Sequence, residues 1–264
     1  MNLILSPQWR TWWQLLRRDL HIFRSSGVDY FINTMLWPIQ AAIAFGYIFP
    51  LMGVGESYGA NIILATVVYK CMYESYFQSS EVVADLNGAR SIDFMYTLPV
   101  SPKMIMLKNI TYFIIKCFVL CAPIIAISKL ILQDRFAMDQ WNIAHSIIAF
   151  FCTALFFACF SVWLTGWVKN QIGFEHVWVR ILDTLNLWGG FWFTWQTLYT
   201  FAKPLAYITL LNPFTLGLEA MRSSFFGPAI ALPFWPCIGG LLLETAIMAI
   251  IGYRRLKKRL DFVD

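Results

Sequence analysis

The chain predicts an all-α integral membrane protein with six transmembrane helices. An N-terminal amphipathic interfacial helix, a cytoplasmic polar helix between spans two and three, and an outer re-entrant helix before span six complete the expected fold. Three observations predict it. Of 264 residues, 59% are apolar and only 13% charged, whereas soluble domains carry about a quarter charged residues. Residues 30–55 contain no charge at all, more than the roughly 20 residues that cross a hydrocarbon core. Twelve tryptophans gather near segment ends, where amphipathic rings favour the headgroup layer. One bundle spanning 1–264 is the expected domain.

In chain order, Trp9, Trp12, Trp13, Leu16, Leu20 and Phe23 recur at three- and four-residue steps, opposite Arg10, Gln14, Arg17, His21 and Arg24. Residues 1–29 therefore read as a basic amphipathic helix suited to an anionic membrane surface, or more plainly as a juxtamembrane cap. The stretch has no apolar signal core, so a cleaved signal peptide is not expected. Span one is Tyr30 to Gly55. Span two runs from about Gly59 to Ser79 and carries Lys70 and Glu74.

Ser80 to Lys103 is a polar island, with Asn87-Gly88 as a break and Ile92, Met95 and Tyr96 at helical spacing before Leu98-Pro99. It reads as a short amphipathic helix at the membrane surface. Span three, about Met104 to Ser128, holds Lys116. Span four covers Trp141 to Val168 and span five about Val177 to Thr197, with Trp188, Trp192, Trp195 and Tyr199 following along roughly one face. Span six is about Leu232 to Tyr253, followed by a basic tail.

Between spans five and six, residues 201–233 hold a shorter element. Asn212-Pro213 is a helix start and Gly227-Pro228 a stop, and the segment between them is too short to cross and too apolar for water. A re-entrant or interfacial helix fits. Glu219 and Arg222, three apart, are able to pair there, or to form a solvated surface pair worth little.

Six spans put both termini on one side. Fourteen Lys and Arg fall on that side and four on the other, so both termini and the polar island are expected in the cytoplasm. The expected setting is a cell inner (plasma) membrane.

Chemistry-bearing motifs are sparse. No Gly is followed by Lys, so there is no GxxxxGK[ST] phosphate loop, and neither HExxH nor GxSxG occurs. No cofactor, metal or nucleic-acid partner is expected for this chain itself, and no enzymatic activity. The six cysteines sit in or beside apolar runs and read as buried thiols. Cys117 and Cys121 share a helix face, but two soft ligands without a third make a weak metal site. Four charges inside spans stand out: Lys70, Glu74, Lys116 and Glu244. They suggest internal pairing, a substrate or gating role, or a proton relay. The aromatic residues of span five suit a sugar or a flat ligand, or simple interface anchoring.

Two stretches carry a resemblance. Asp93-Phe94-Met95-Tyr96-Thr97-Leu98-Pro99-Val100-Ser101-Pro102 is similar to a short helix followed by Leu-x-Pro-Val-Ser before a third span. Asn212-Pro213-Phe214-Thr215, Glu219-Ala220-Met221-Arg222 and Gly227 are similar to Asn-Pro-hydrophobic-Thr, Glu-Ala-x-Arg and Gly. In both, and in topology over nearly its whole length, the chain resembles the permease subunits of type-2 ABC exporters. Phe94-Met95-Tyr96 stand where many members carry Leu-Leu.

The resemblance implies a coupling helix, Ser80 to Leu98, that docks on a separate ATPase subunit. The expected contacts are Asp85, Arg90, Ile92, Asp93, Met95, Tyr96, Leu98 and Pro99. It also implies two ATPases holding ATP and Mg, a second permease copy forming a homodimer, contact with membrane lipid, and export through a path between the permeases. The path or gate residues expected are Lys70, Glu74, Lys116, Trp188, Trp192, Trp195, Asn212, Pro213, Glu219, Arg222 and Glu244. Lipids, lipid-linked glycans and hydrophobic drugs are the substrate classes it admits. An ion-coupled transporter using the intramembrane charges is the alternative.

Overall fold

The computed structural model describes residues 7–88, 95, 98, 100–138 and 140–261. Every regular element among them is helical. Four helices are long and apolar enough to cross a membrane: α2 (Gly27–Leu51), α4 (Pro102–Leu132), α5 (Ile143–Trp167) and α10 (Phe234–Asp261). They match spans one, three, four and six of the sequence reading. α5 is the centre of the bundle, with 72% of its apolar window buried against 28% for α10. Nearly uniform hydrophobicity produces that: a helix apolar all round is stable only where every face is covered. α10 lies along α5, and Gly166 marks the crossing, where a Cβ would stand 2.9 Å from the Leu256 nitrogen. Small residues at such crossings let helix backbones approach closely.

α1 (Pro7–Ser25) precedes α2 with a turn at Ser26. Leu15, Leu16 and Phe23 are buried while Trp9 and Trp13 stay exposed, so only part of the apolar face packs on the bundle. Asp19 pairs with buried Lys108 of α4, which fastens this helix to the bundle.

α3 (Tyr58–Asn87) is one continuous helix of 30 residues. This corrects the expected separate helix beginning at Ser80: residues 80–87 extend α3. No breaker occurs before Gly88, and Ser80 and Asn87 bond Gln171 and the Lys169 carbonyl, so the polar end is docked rather than free to turn. The break at Gly88 falls where Asn87-Gly88 predicts it. Arg90, Ile92, Asp93, Tyr96 and Pro99 lie outside the described residues.

Span five is also corrected. α6 comprises Gln171–Val177, a π-helical turn Trp178–Leu182 and Asp183–Trp188, and then the helix stops. Gly190 takes φ +82°, a left-handed conformation that glycine adopts without a Cβ clash. α7 (Trp195–Phe201) and α8 (Lys203–Thr209) follow as short helices. Trp188, Trp192 and Trp195 therefore share no helix face.

α9 (Pro213–Phe226) starts and stops as the sequence predicts. The Asn212 side chain accepts from the Phe214 N–H, Pro213 is the first helical residue, and Gly227 closes the helix at φ +77°. Residues 213–225 are all buried. The helix is not water-exposed but enclosed by protein, as a short helix must be wherever water does not serve its ends. Replacing Asn212 with Ala should cost about 1 kcal/mol through the lost cap. The bond from its Nδ2 to the Leu185 carbonyl (2.9 Å) goes as well, so a thermal shift no larger than that of a surface substitution would contradict this account.

Candidate functional site

Two buried charge clusters organise the molecule. The first joins α3 to α4. Glu74 on α3 accepts from Lys70 one turn earlier at 2.7 Å through Oε1, and from Lys116 of α4 at 2.7 Å through Oε2. Glu74 and Lys116 are about 95% buried, and Lys70 is slightly more open. Lys116 also lies over the Tyr30 ring of α2, 4.8 Å from its centroid, and Lys70 over Tyr73 at 4.7 Å. One carboxylate thus serves two ammonium groups, leaving a formal excess of one positive charge. Each oxygen has its own cation, the geometry in which attraction best offsets desolvation.

Glu244, grouped with these three by sequence, does not join them. It sits on α10 among the outward residues Leu242, Leu243 and Ile247, and its Oε2 has no hydrogen-bond partner among the described residues. Hydropathy identifies charges inside spans, but only the facing of helices says which of them meet.

The second cluster ties α9 to the broken end of α6. Glu219 and Arg222 pair at 2.8 Å with both side chains 1% exposed, so the surface-pair reading is overturned. Glu219 also accepts from the backbone N–H groups of Trp195 (3.1 Å) and Leu232 (3.2 Å). Arg222 donates to the carbonyls of Gly190 (2.8 Å) and Phe193 (3.2 Å). The guanidinium fork replaces hydrogen bonds that the chain forfeits when α6 ends, and the carboxylate caps two loops that return beside it. This is one clamp across three segments distant in sequence. Asn212 and Pro213 belong to it through the start of α9.

The tryptophans scatter. Trp188 is exposed, and Trp192 meets Phe45 and Phe191 edge-on. Trp195 stacks on Tyr199 at 4.9 Å and donates its Nε1–H to the Ala206 carbonyl. Of the expected coupling residues, Asp85 and Met95 line one cleft with Asp19 and Lys108, and the Leu98 N–H bonds the Met95 carbonyl. All six cysteines are buried and free. No group of three His, Cys, Asp or Glu suited to a metal occurs among the described residues.

Sequence reasoning missed other positions. Asp19 is a lone acid on a basic helix, and nothing local names Lys108 as its partner. Arg259 of the basic tail donates to the Thr165, Val168 and Lys169 carbonyls at the end of α5; a cation beside a helix C-terminus is favourable, and the tail's charge was its only signal. Asn33, Thr34 and Asn186, polar residues inside apolar runs, line a cavity between α2, α3 and α6 with Lys70, Trp37 and Trp192.

Fold and site together define an all-helical membrane protein held by buried charge clusters. No family model matches the chain, and no curated protein shows significant similarity to it.

Proposed function

We propose that this chain is the membrane-spanning subunit of a type-2 ABC exporter, working as a dimer with a separate ATPase. The observation that carries the reading is α9. The stretch that resembles the exporter pattern, Asn212-Pro213 through Glu219, Arg222 and Gly227, forms a capped, enclosed half-helix. Its acid and base bind the ends of neighbouring segments. Such a helix suits a gate that shifts between discrete packings as a unit. In this reading α3 and 171–188 supply the second and fifth spans, and both termini face the cytoplasm.

The cleft of Asp19, Asp85, Met95 and Lys108 gives the reading a place for force to enter. It brings α1 and the ends of α3 and α4 together beside the expected coupling segment, and the ATPase would press there. ATP and Mg would be held on that partner, and the substrate would be a lipid, a lipid-linked glycan or a hydrophobic drug. A second reading, an ion-coupled transporter, is favoured by one feature, the Lys70–Glu74–Lys116 cluster at span depth.

Co-purification separates the two. The tagged chain, extracted from its native host in mild detergent, should bring a stoichiometric ATP-binding subunit. Replacing residues 93–97 with a Gly/Ser linker of equal length should release that subunit. Isolation of the chain as an oligomer without any nucleotide-binding partner would refute the exporter reading and favour the ion-coupled one.

A further inference from the structure

We infer that the cavity between α2, α3 and the end of α6 is a binding site for an acidic sugar. The inference rests on the permease reading for its role, as the place where substrate is held, and on the cavity itself for its chemistry. The cavity has a volume of about 430 Å³, within the roughly 300–1,000 Å³ of small-molecule sites. Its walls combine three features that a sugar needs together.

Trp37 and Trp192 are 46% and 40% exposed and, with Tyr69, line the space. Their rings are surfaces on which the C–H face of a pyranose packs, an apolar body beside polar rims. Then there are hydrogen-bonding atoms with nothing to bond. Thr34 is 2% exposed, yet its Oγ1 has no partner among the described residues, and the Asn186 Oδ1 is likewise buried and unpaired among them. A buried polar atom left unsatisfied is costly, so two of them in residues that line one cavity point to a ligand that completes them. An amide oxygen only accepts, and its missing partner is therefore a donor. Ligand hydroxyls supply donors; flat aromatic ions supply few.

Charge is the third feature. Lys70 is the only charged residue lining the cavity among the described residues. It belongs to a cluster of two lysines and one glutamate, which taken by itself holds one more positive than negative charge. A carboxylate or phosphate on the sugar is favoured at that end, and a neutral sugar forgoes it. The acidic sugar reaches the cavity either as a free glycan or on a lipid anchor.

The test is binding to the full-length chain in nanodiscs, followed by tryptophan quenching. The probes are hyaluronan tetrasaccharide as a free acidic glycan, dodecyl glucuronide as an anchored one, maltotetraose as a neutral glycan, and 1-naphthalenesulfonate as a flat anion. At least one acidic sugar should quench saturably and bind about tenfold or more tighter than the neutral and flat probes. Binding by the tetrasaccharide points to a free glycan, and binding by the glucuronide alone to a lipid-linked one; either supports the site. Thr34→Val and Asn186→Leu should each weaken that binding about tenfold. Because both remove unsatisfied atoms, neither should lower the thermal midpoint, which separates lost binding from lost fold. Equal binding of the neutral or flat probe, no binding by either acidic sugar, or full affinity in both variants would overturn the site. The binding requires no ATPase, so failure of co-purification and failure of this site are read independently.

Discussion

Replacing Glu219 with Ala should destabilise the protein by about 3–5 kcal/mol, the range found when one partner of a buried ion pair is removed. The carboxylate stands between a guanidinium that is 1% exposed and two backbone N–H groups, of Trp195 and Leu232. Its loss leaves a charge without its counter-ion and two backbone donors without partners, in a place water reaches poorly. Glu219→Gln keeps one acceptor oxygen but removes the charge, and should recover only part of the loss. Replacing both members, Glu219→Leu with Arg222→Met, should be milder than Glu219→Ala alone, since no charge is stranded. The Gly190 and Phe193 carbonyls that Arg222 satisfies would keep it short of the original stability. Thermal unfolding in detergent, followed by loss of the monodisperse peak, measures this order. A double replacement worse than the single one would show that the hydrogen bonds to backbone, not the buried charges, dominate the clamp.

Glu74→Gln should cost a similar amount, about 3–5 kcal/mol, and for a sharper reason. Its carboxylate balances two lysines, so neutralising it leaves Lys70 and Lys116 facing one another in the buried seam between α3 and α4. The two lysines are not equivalent. Lys70 borders the cavity and is able to take up water there, whereas Lys116 is 5% exposed, paired to Glu74 and set against the Tyr30 ring. Adding Lys116→Met to Glu74→Gln should therefore restore more than half of the lost stability, and adding Lys70→Met should restore less. Equal rescue by the two would mean that cavity hydration does not distinguish them. The same proteins test the role of the cluster: restored folding with lost transport would assign function to the charges themselves.

Legibility of the site followed the range of the interactions. The Asn212 cap, the Pro213 start and the Gly227 stop are set by residues at most two apart, and all three stand where the sequence places them. Glu219 and Arg222 lie one helical turn apart, so their pairing was readable while their burial was not. Glu74 with Lys116 joins two helices, and hydropathy singles out four candidate charges with nothing to say that Glu244 faces another way. The unsatisfied Thr34 and Asn186 atoms come together from separate segments, and neither type is unusual enough alone to be noticed.

The sequence by itself determined the solvent. Charge-free runs of 25 residues or so admit no aqueous fold, and α2, α4, α5 and α10 follow from hydropathy and length alone. Tertiary structure decided where helices stop and which faces meet. α6 ends at Trp188 because a glycine turn is held by an arginine 32 residues onward, while α3 continues to Asn87 because Gln171 and Lys169 hold its polar end. Hydropathy and caps are local sums that a sequence contains in full. A guanidinium that supplies another segment's missing hydrogen bonds acts only once the chain has folded around it.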